Sequence, residues 1–157
     1  MSTHGDRPSR DPYLPFRPRA ARWVSTVVAG VFVVVMLGLA FVVPSYATVT
    51  VAWLDRLGFA LVAAGGAWLL LRHAAVRADP SPDGLTVRNL ATTRTVAWPE
   101  IVSVRFGHGH PWVQLDLADG ETLAAMGIQR SDGARAVAEA RRLATLVAHH
   151  SETSRDD

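Results

Sequence analysis

Trp112-Val113-Gln114-Leu115-Asp116-Leu117-Ala118-Asp119-Gly120-Glu121-Thr122-Leu123 is the stretch that decides the kind of domain this chain contains. Val113, Leu115 and Leu117 fall on one side of an extended chain and Trp112, Gln114 and Asp116 on the other, because successive strand side chains alternate. Such a strand belongs to an antiparallel sheet covered on one face. Asp119-Gly120 suits the left-handed backbone of a tight turn, and Glu121-Thr122-Leu123 starts the return strand, so a β-hairpin is predicted.

Working outward, further short runs rich in Val, Leu, Thr or Trp read as strands at Leu85 to Leu90, Arg94 to Trp98 and Ile101 to Phe106, with the return strand at Thr122 to Met126. A helix follows from Asp132 to about Ala148. Val137, Ala140, Leu143, Ala144 and Val147 make its apolar stripe, while Arg135, Glu139, Arg141 and Arg142 face water. Ser131 or Asp132 is placed to cap its start. The result is an antiparallel meander of five strands closed by one amphipathic helix, over residues 84–148. Ala78-Asp79-Pro80-Ser81-Pro82-Asp83-Gly84 is a breaker cluster, so residues 72–83 are read as a linker. A core this small is marginal alone and invites support from outside the domain.

The preceding sequence is of another kind. From Trp23 to Val43 no charge occurs, and apolar residues occupy every side of the helix the stretch would form. That is enough to cross a hydrocarbon layer of about 30 Å, whereas a soluble helix needs only an apolar stripe. A second run, about Val49 to Leu71, carries Asp55 and Arg56 near its start, where both reach the headgroup layer. The link at Pro44-Ser45-Tyr46 is short, so residues 23–71 are predicted to form a transmembrane hairpin. Arg7, Arg10, Arg17, Arg19 and Arg22 precede it and Arg72 and Arg77 follow it, which puts both termini in the cytoplasm. Trp23, Tyr46, Trp53 and Trp68 fall near the span ends, as interfacial aromatics do. Ser45-Tyr46-Ala47 has the small residues of a signal-peptidase site, but the apolar stretch exceeds the about 7 to 15 residues of a signal core. Ala60 with Ala64, Ala63 with Ala67, and Gly30 and Gly38 offer faces for close packing, in the hairpin or in a homo-oligomer. Prolines at 8, 12, 15 and 18 oppose a helix, so residues 1–22 are expected to be a disordered Arg/Pro-rich cytoplasmic arm; residues 149–157 are expected to be a disordered tail.

Three stretches carry a resemblance: Val96-Ala97-Trp98-Pro99-Glu100-Ile101-Val102-Ser103-Val104, Pro111-Trp112-Val113-Gln114-Leu115-Asp116-Leu117 and Met126-Gly127-Ile128-Gln129-Arg130-Ser131-Asp132-Gly133-Ala134-Arg135-Ala136. Behind two spans and ahead of a terminal helix, they resemble the bacterial PH-domain-containing membrane proteins, most of all the actinobacterial low-molecular-weight-antigen type. The resemblance covers residues 78 to 147 directly and the hairpin by arrangement. It implies a bacterial plasma-membrane protein with a PH-like domain, and says little about activity. A full PH fold has seven strands in two nearly orthogonal sheets, against the five predicted here. The fold class is therefore α+β: a two-helix transmembrane hairpin, then a small antiparallel β PH-like domain with one C-terminal amphipathic helix.

Composition narrows the chemistry. The chain has no cysteine, and all 16 of its basic residues are Arg, so disulfide, Cys-zinc, thiol and lysine chemistry are excluded. There is no nucleophile elbow, phosphate loop or HExxH, and Glu100, Asp116, Asp119 and Glu121 fall at strand ends and turns. His108, His110, His149 and His150 have poor metal-ligand spacing. No catalytic residue, cofactor or metal is expected, and interleaved acidic residues argue against nucleic acid. The expectation is a non-catalytic interaction module binding a protein partner at the cytoplasmic face. Trp98, Trp112 and Phe106 are candidate anchors, although residues such as Trp98 and Phe106 are more often core. The alternative is anionic lipid-headgroup recognition by Arg88, Arg94, Arg105 and Arg130, since Arg forks bind phosphate well.

Overall fold

The computed structural model describes residues 11–42, 49–107 and 109–153. Two long helices come first, α1 (Arg19–Val42) and α2 (Val49–Ala74). Six strands follow: β1 (Arg77–Ser81), β2 (Gly84–Arg88), β3 (Thr93–Ala97), β4 (Ile101–Arg105), β5 (Trp112–Leu117) and β6 (Thr122–Gln129), and α3 (Ala134–Thr153) ends the chain. The strands form two three-stranded antiparallel sheets, β1-β2-β3 and β4-β5-β6, so the domain is α+β and PH-like. The predicted link at Pro44-Ser45-Tyr46 lies outside the described residues, as do Arg7 and Arg10.

The helices pack against each other through small groups. Ser25, Ala29 and Ala40 of α1 and Ala63 of α2 are buried. A side chain at Gly66 would strike the Phe32 ring, so this glycine makes room for the helix pair to close. Gly30, Gly38, Ala60 and Ala64 lie on exposed surface instead. Both helices are long and apolar enough to cross a membrane.

One sixth strand replaces the predicted linker. α2 continues to Ala74 and β1 begins at Arg77, so the helix runs almost directly into the first sheet. Pro80 is tolerated because β1 has a strand neighbour in β2 alone, with Pro80 opposite Leu85. The other side of β1 is met by the segment predicted to be disordered. Phe16 forms an antiparallel bridge with Ala78, each N–H donating to the other's carbonyl at 2.8 and 3.0 Å. The Phe16 ring is fully buried in the domain core. Prolines do forbid a helix before Arg19, but an extended chain carrying an aromatic ring has another way to be ordered, by burying the ring.

β6 is what joins the sheets. Its register on β5 jumps between Trp112↔Gln129 and Val113↔Ala125, and the strand bends there toward β1. Gly127 sits in the bend, and a Cβ would come within 2.6 Å of Ala78 N and 2.8 Å of Phe16 O. Asn89, in the β2–β3 turn, stitches the same crossing: its amide donates to Ala124 O at 2.7 Å and accepts from Met126 N–H at 3.2 Å.

Inward-facing residues of both sheets fill the core, among them Leu85, Val87, Val96, Trp98, Val113, Leu115 and Leu117. The alternation predicted for β5 is observed: Val113, Leu115 and Leu117 are buried and Trp112, Gln114 and Asp116 are half-exposed. α3 covers the core with Ala136, Ala140, Leu143, Leu146 and Val147, whereas Val137 and Ala144 are exposed. Both possible stripes share Ala140, Leu143 and Val147; turning the helix toward Leu146 rather than Ala144 removes more apolar area from water. α3 also outruns its predicted end. His150 stacks on Trp98 with ring centroids 5.0 Å apart and planes 4° from parallel, so residues 149–153 are helical rather than a loose tail. Tyr13 Oη lies 3.0 Å from His150 Nε2, tying this last turn to the N-terminal segment.

Candidate interaction site

Trp112 opens β5 on the outer face of the second sheet, half-exposed, with its indole N–H buried and unpaired among the described residues. Trp98 is 2% exposed and its indole N–H donates to Ser81 O at 2.9 Å, so it is a core residue and no anchor. Phe106 is partly buried against the core. The largest exposed apolar side chain of the β domain is Val102 on β4, a strand with a neighbour on one side only.

The four arginines do not converge. Arg88 lies opposite Thr93 and Arg94 opposite Val87, so the two side chains leave opposite faces of the first sheet. Arg94 reaches the β5–β6 turn, where it pairs with Glu121 and, at 3.2 Å, with Asp119. Glu121 is the main cause that raises the Arg94 guanidinium above its ordinary value, with Asp119 adding to it. Arg105 pairs with Asp116 across the β4–β5 ladder at 2.5 Å. Arg130 donates to the carbonyl of Gly107. The Arg88 side chain has no hydrogen bond or ion pair to protein among the described residues; it borders a cleft of about 300 Å³ shared with Trp68, Leu71, Arg72, Asn89 and Thr93.

Asp116 is the hub of the outer face of the second sheet. Ser103 Oγ donates to it at 2.5 Å, Arg105 and Thr122 add further bonds, and together these donors hold its carboxyl below the ordinary carboxylate range, Ser103 most of all. His110 faces Gln114 at 3.4 Å, and His149 and His150 meet edge to face at 5.4 Å; His108 lies outside the described residues.

Two functional groupings were not visible in residue order. Arg142, predicted to face water, clamps the N-terminal segment: its Nη2 donates to Leu14 O at 2.8 Å and its guanidinium lies 3.9 Å from the Phe16 ring centroid. Asp132 accepts the N–H groups of Arg19 and Ala20 at 2.9 Å each. It caps α1, not the helix that follows it. Capping residues at both places are recognisable by type; which helix end they serve depends on chain crossings more than a hundred residues apart in sequence.

Residues 74–145 match the family model of the bacterial PH domain. Two uncharacterised proteins of Mycobacterium tuberculosis strains and one of Mycobacterium bovis are each 40% identical over 85 residues, 54% of this chain and 54% of theirs. The match thus spans about half the length of these relatives. No solved structure gives a significant match. The family match begins at the end of α2 and stops within α3, so Phe16, which bridges to Ala78, and His150, which stacks on Trp98, lie outside it. With two sheets and a capping helix, residues 74–145 carry a PH-like fold and are similar to the bacterial PH domain family, behind two membrane-length helices.

Proposed function

We propose that the chain is a non-catalytic, membrane-tethered PH module: α1 and α2 cross a bacterial plasma membrane as a hairpin, both termini are cytoplasmic, and the domain docks a protein partner at the cytoplasmic face. The carrying observation is how the domain is seated. Asp132 caps α1, Phe16 is built into the core just ahead of α1, and α2 leads into β1 across Ala75 and Val76. A domain held at both helix ends keeps one orientation to the membrane, as a docking platform requires. Apolar side chains such as Phe41, Trp53 and Leu61 cover the outside of the hairpin, which water does not tolerate over such an area and lipid does. Arginines at 17, 19, 22, 72 and 77 gather at the domain end of the hairpin, in line with cytoplasmic retention.

A protein partner is favoured over the four-arginine lipid site because Arg94 and Arg105 are neutralised by carboxylates and Arg130 is turned onto a carbonyl. Trp112 and Val102, on the second sheet, are the proposed contacts. The test is photocrosslinking in bacterial membranes from probes placed at Val102, with Trp112→Ala as comparison. A discrete crosslinked band weakened by the substitution supports the docking face; identical bands from wild type and variant refute it. Protease accessibility of both termini in spheroplasts checks the topology, and cleavage from outside would overturn it.

A further inference from the structure

We infer that Phe16 is a latch between the helical hairpin and the core of the domain, so that a shift of α1 against α2 in the membrane unseats this one ring and loosens the sheet it completes. The inference rests on the hairpin crossing the membrane and stands whatever partner the domain docks.

The hairpin is inserted into the domain rather than fused to its front. The chain leaves the first sheet at Phe16, forms both helices, and returns to the same sheet at Ala78, where the two residues pair antiparallel. Neither crossing has slack. Arg17 and Pro18 alone separate Phe16 from the start of α1, and Ala75 and Val76 alone separate α2 from β1. Pro18 and Val76 are both buried, and the proline ring fixes its own backbone angle. Asp132 grips the Arg19 and Ala20 amides, so the start of α1 moves only by pulling on the domain.

The latch has two discrete positions. In the seated one the Phe16 ring is fully buried, and Arg142 holds the segment by donating to Pro12 O at 3.4 Å and Leu14 O at 2.8 Å. Side chains alternate along an extended chain, so a slip of one residue, about 3.4 Å, turns the ring out and aims Pro15 or Arg17 at the core instead. Interlocked packing of this kind switches between arrangements rather than yielding gradually. The inner side of the latch is β6. A Cβ at Gly127 would come within 2.8 Å of Phe16 O, and the same strand runs on to Gln129, opposite Trp112. Unseating Phe16 therefore slackens the strand that joins the two sheets.

The test reads hydrogen exchange at single amides of the full chain in lipid nanodiscs. Gly66→Leu drives a side chain against the Phe32 ring, about 12 Å along α2 from Ala74. It is expected to speed exchange at the mutually bonded Phe16 and Ala78 amides about tenfold, by easing local opening, and to leave Leu115 in the central strand β5 unchanged. Gly65→Leu, at a position where a Cβ meets nothing within 4 Å, should change neither. A second perturbation needs no substitution. Wild type in dimyristoyl- and in dierucoyl-phosphatidylcholine, bilayers of different thickness that tilt the helices differently, should differ at the same two amides. Wild-type exchange at Phe16 and Ala78 in Gly66→Leu overturns the inference, as does equal acceleration at Leu115, which would mean general destabilisation. Identical exchange in the two bilayers overturns it even if Gly66→Leu does not fold. A chain that fails to enter the nanodiscs would refute the membrane reading, and the latch with it.

Discussion

The carboxylate of Asp132 closes the start of the helix that begins at Arg19, accepting the Arg19 and Ala20 N–H groups at 2.9 Å each. A helix start leaves amide protons unpaired and carries positive partial charge, so an anion there is doubly favourable. Here the anion belongs to the PH domain and the helix to the hairpin, so one contact both ends α1 and seats the domain. Asp132→Ala should cost about 1 kcal/mol in a denaturant titration of the full chain in detergent. It should also raise protease cleavage around residues 17–22, and an unchanged cleavage pattern would show that the cap does not hold the domain.

Phe16 is the largest group brought to the core from outside the family match. Phe16→Ala should lower stability by about 3 to 5 kcal/mol, the range for emptying a buried aromatic site. Arg142→Met, which keeps the aliphatic stem but removes the bonds to the N-terminal segment, should lower it less. Thermal unfolding of both variants gives the order, and a milder effect for Phe16→Ala would mean that the segment is an accessory strap.

Gly127 and Gly30 make a matched pair of substitutions. Alanine at Gly127 meets two backbone atoms, Ala78 N and Phe16 O, neither of which can swing aside, so Gly127→Ala should destabilise by about 1 to 3 kcal/mol. Alanine at Gly30 meets nothing within 4 Å and should be tolerated. Comparing thermal midpoints of the two checks that the β1–β6 crossing, rather than glycine loss as such, is responsible.

Asp116 gives the second sheet a pH dependence. Its folded carboxyl titrates below its unfolded value, chiefly through Ser103 and then Arg105, so the unfolded chain binds more protons in that interval. The stabilising contribution is complete above the ordinary carboxylate range, about pH 4, and fades as pH falls through the folded value. Ser103→Ala removes the largest cause and should move the Asp116 titration upward, measured from its side-chain carbonyl signal by NMR. An unmoved titration would assign the effect to Arg105 and Thr122.

Much of this architecture follows from local pattern. Alternation in Trp112–Leu117, the Asp119-Gly120 turn and the uncharged run from Trp23 are properties of neighbouring residues, and the physics that reads them is short-ranged. β1 escaped notice because Asp79-Pro80-Ser81-Pro82 looks like a breaker, and becomes a strand only when β2 lies beside it. The four arginines looked alike in residue order and met three different fates, since a guanidinium's role depends on which carboxylate or carbonyl the fold brings within reach.

Residue order therefore settled the kinds of element, their sequence and the division into apolar helices and a β domain, because burial period and turn chemistry are written within a few residues. It could not say that Phe16 would complete the core beside Ala78, that Asp132 would cap a helix begun at Arg19, or that Arg72 and Arg88 would border one cleft. Those pairings join residues distant in the chain, and they exist because two sheets, a capping helix and a helical hairpin have to share one small core and one junction.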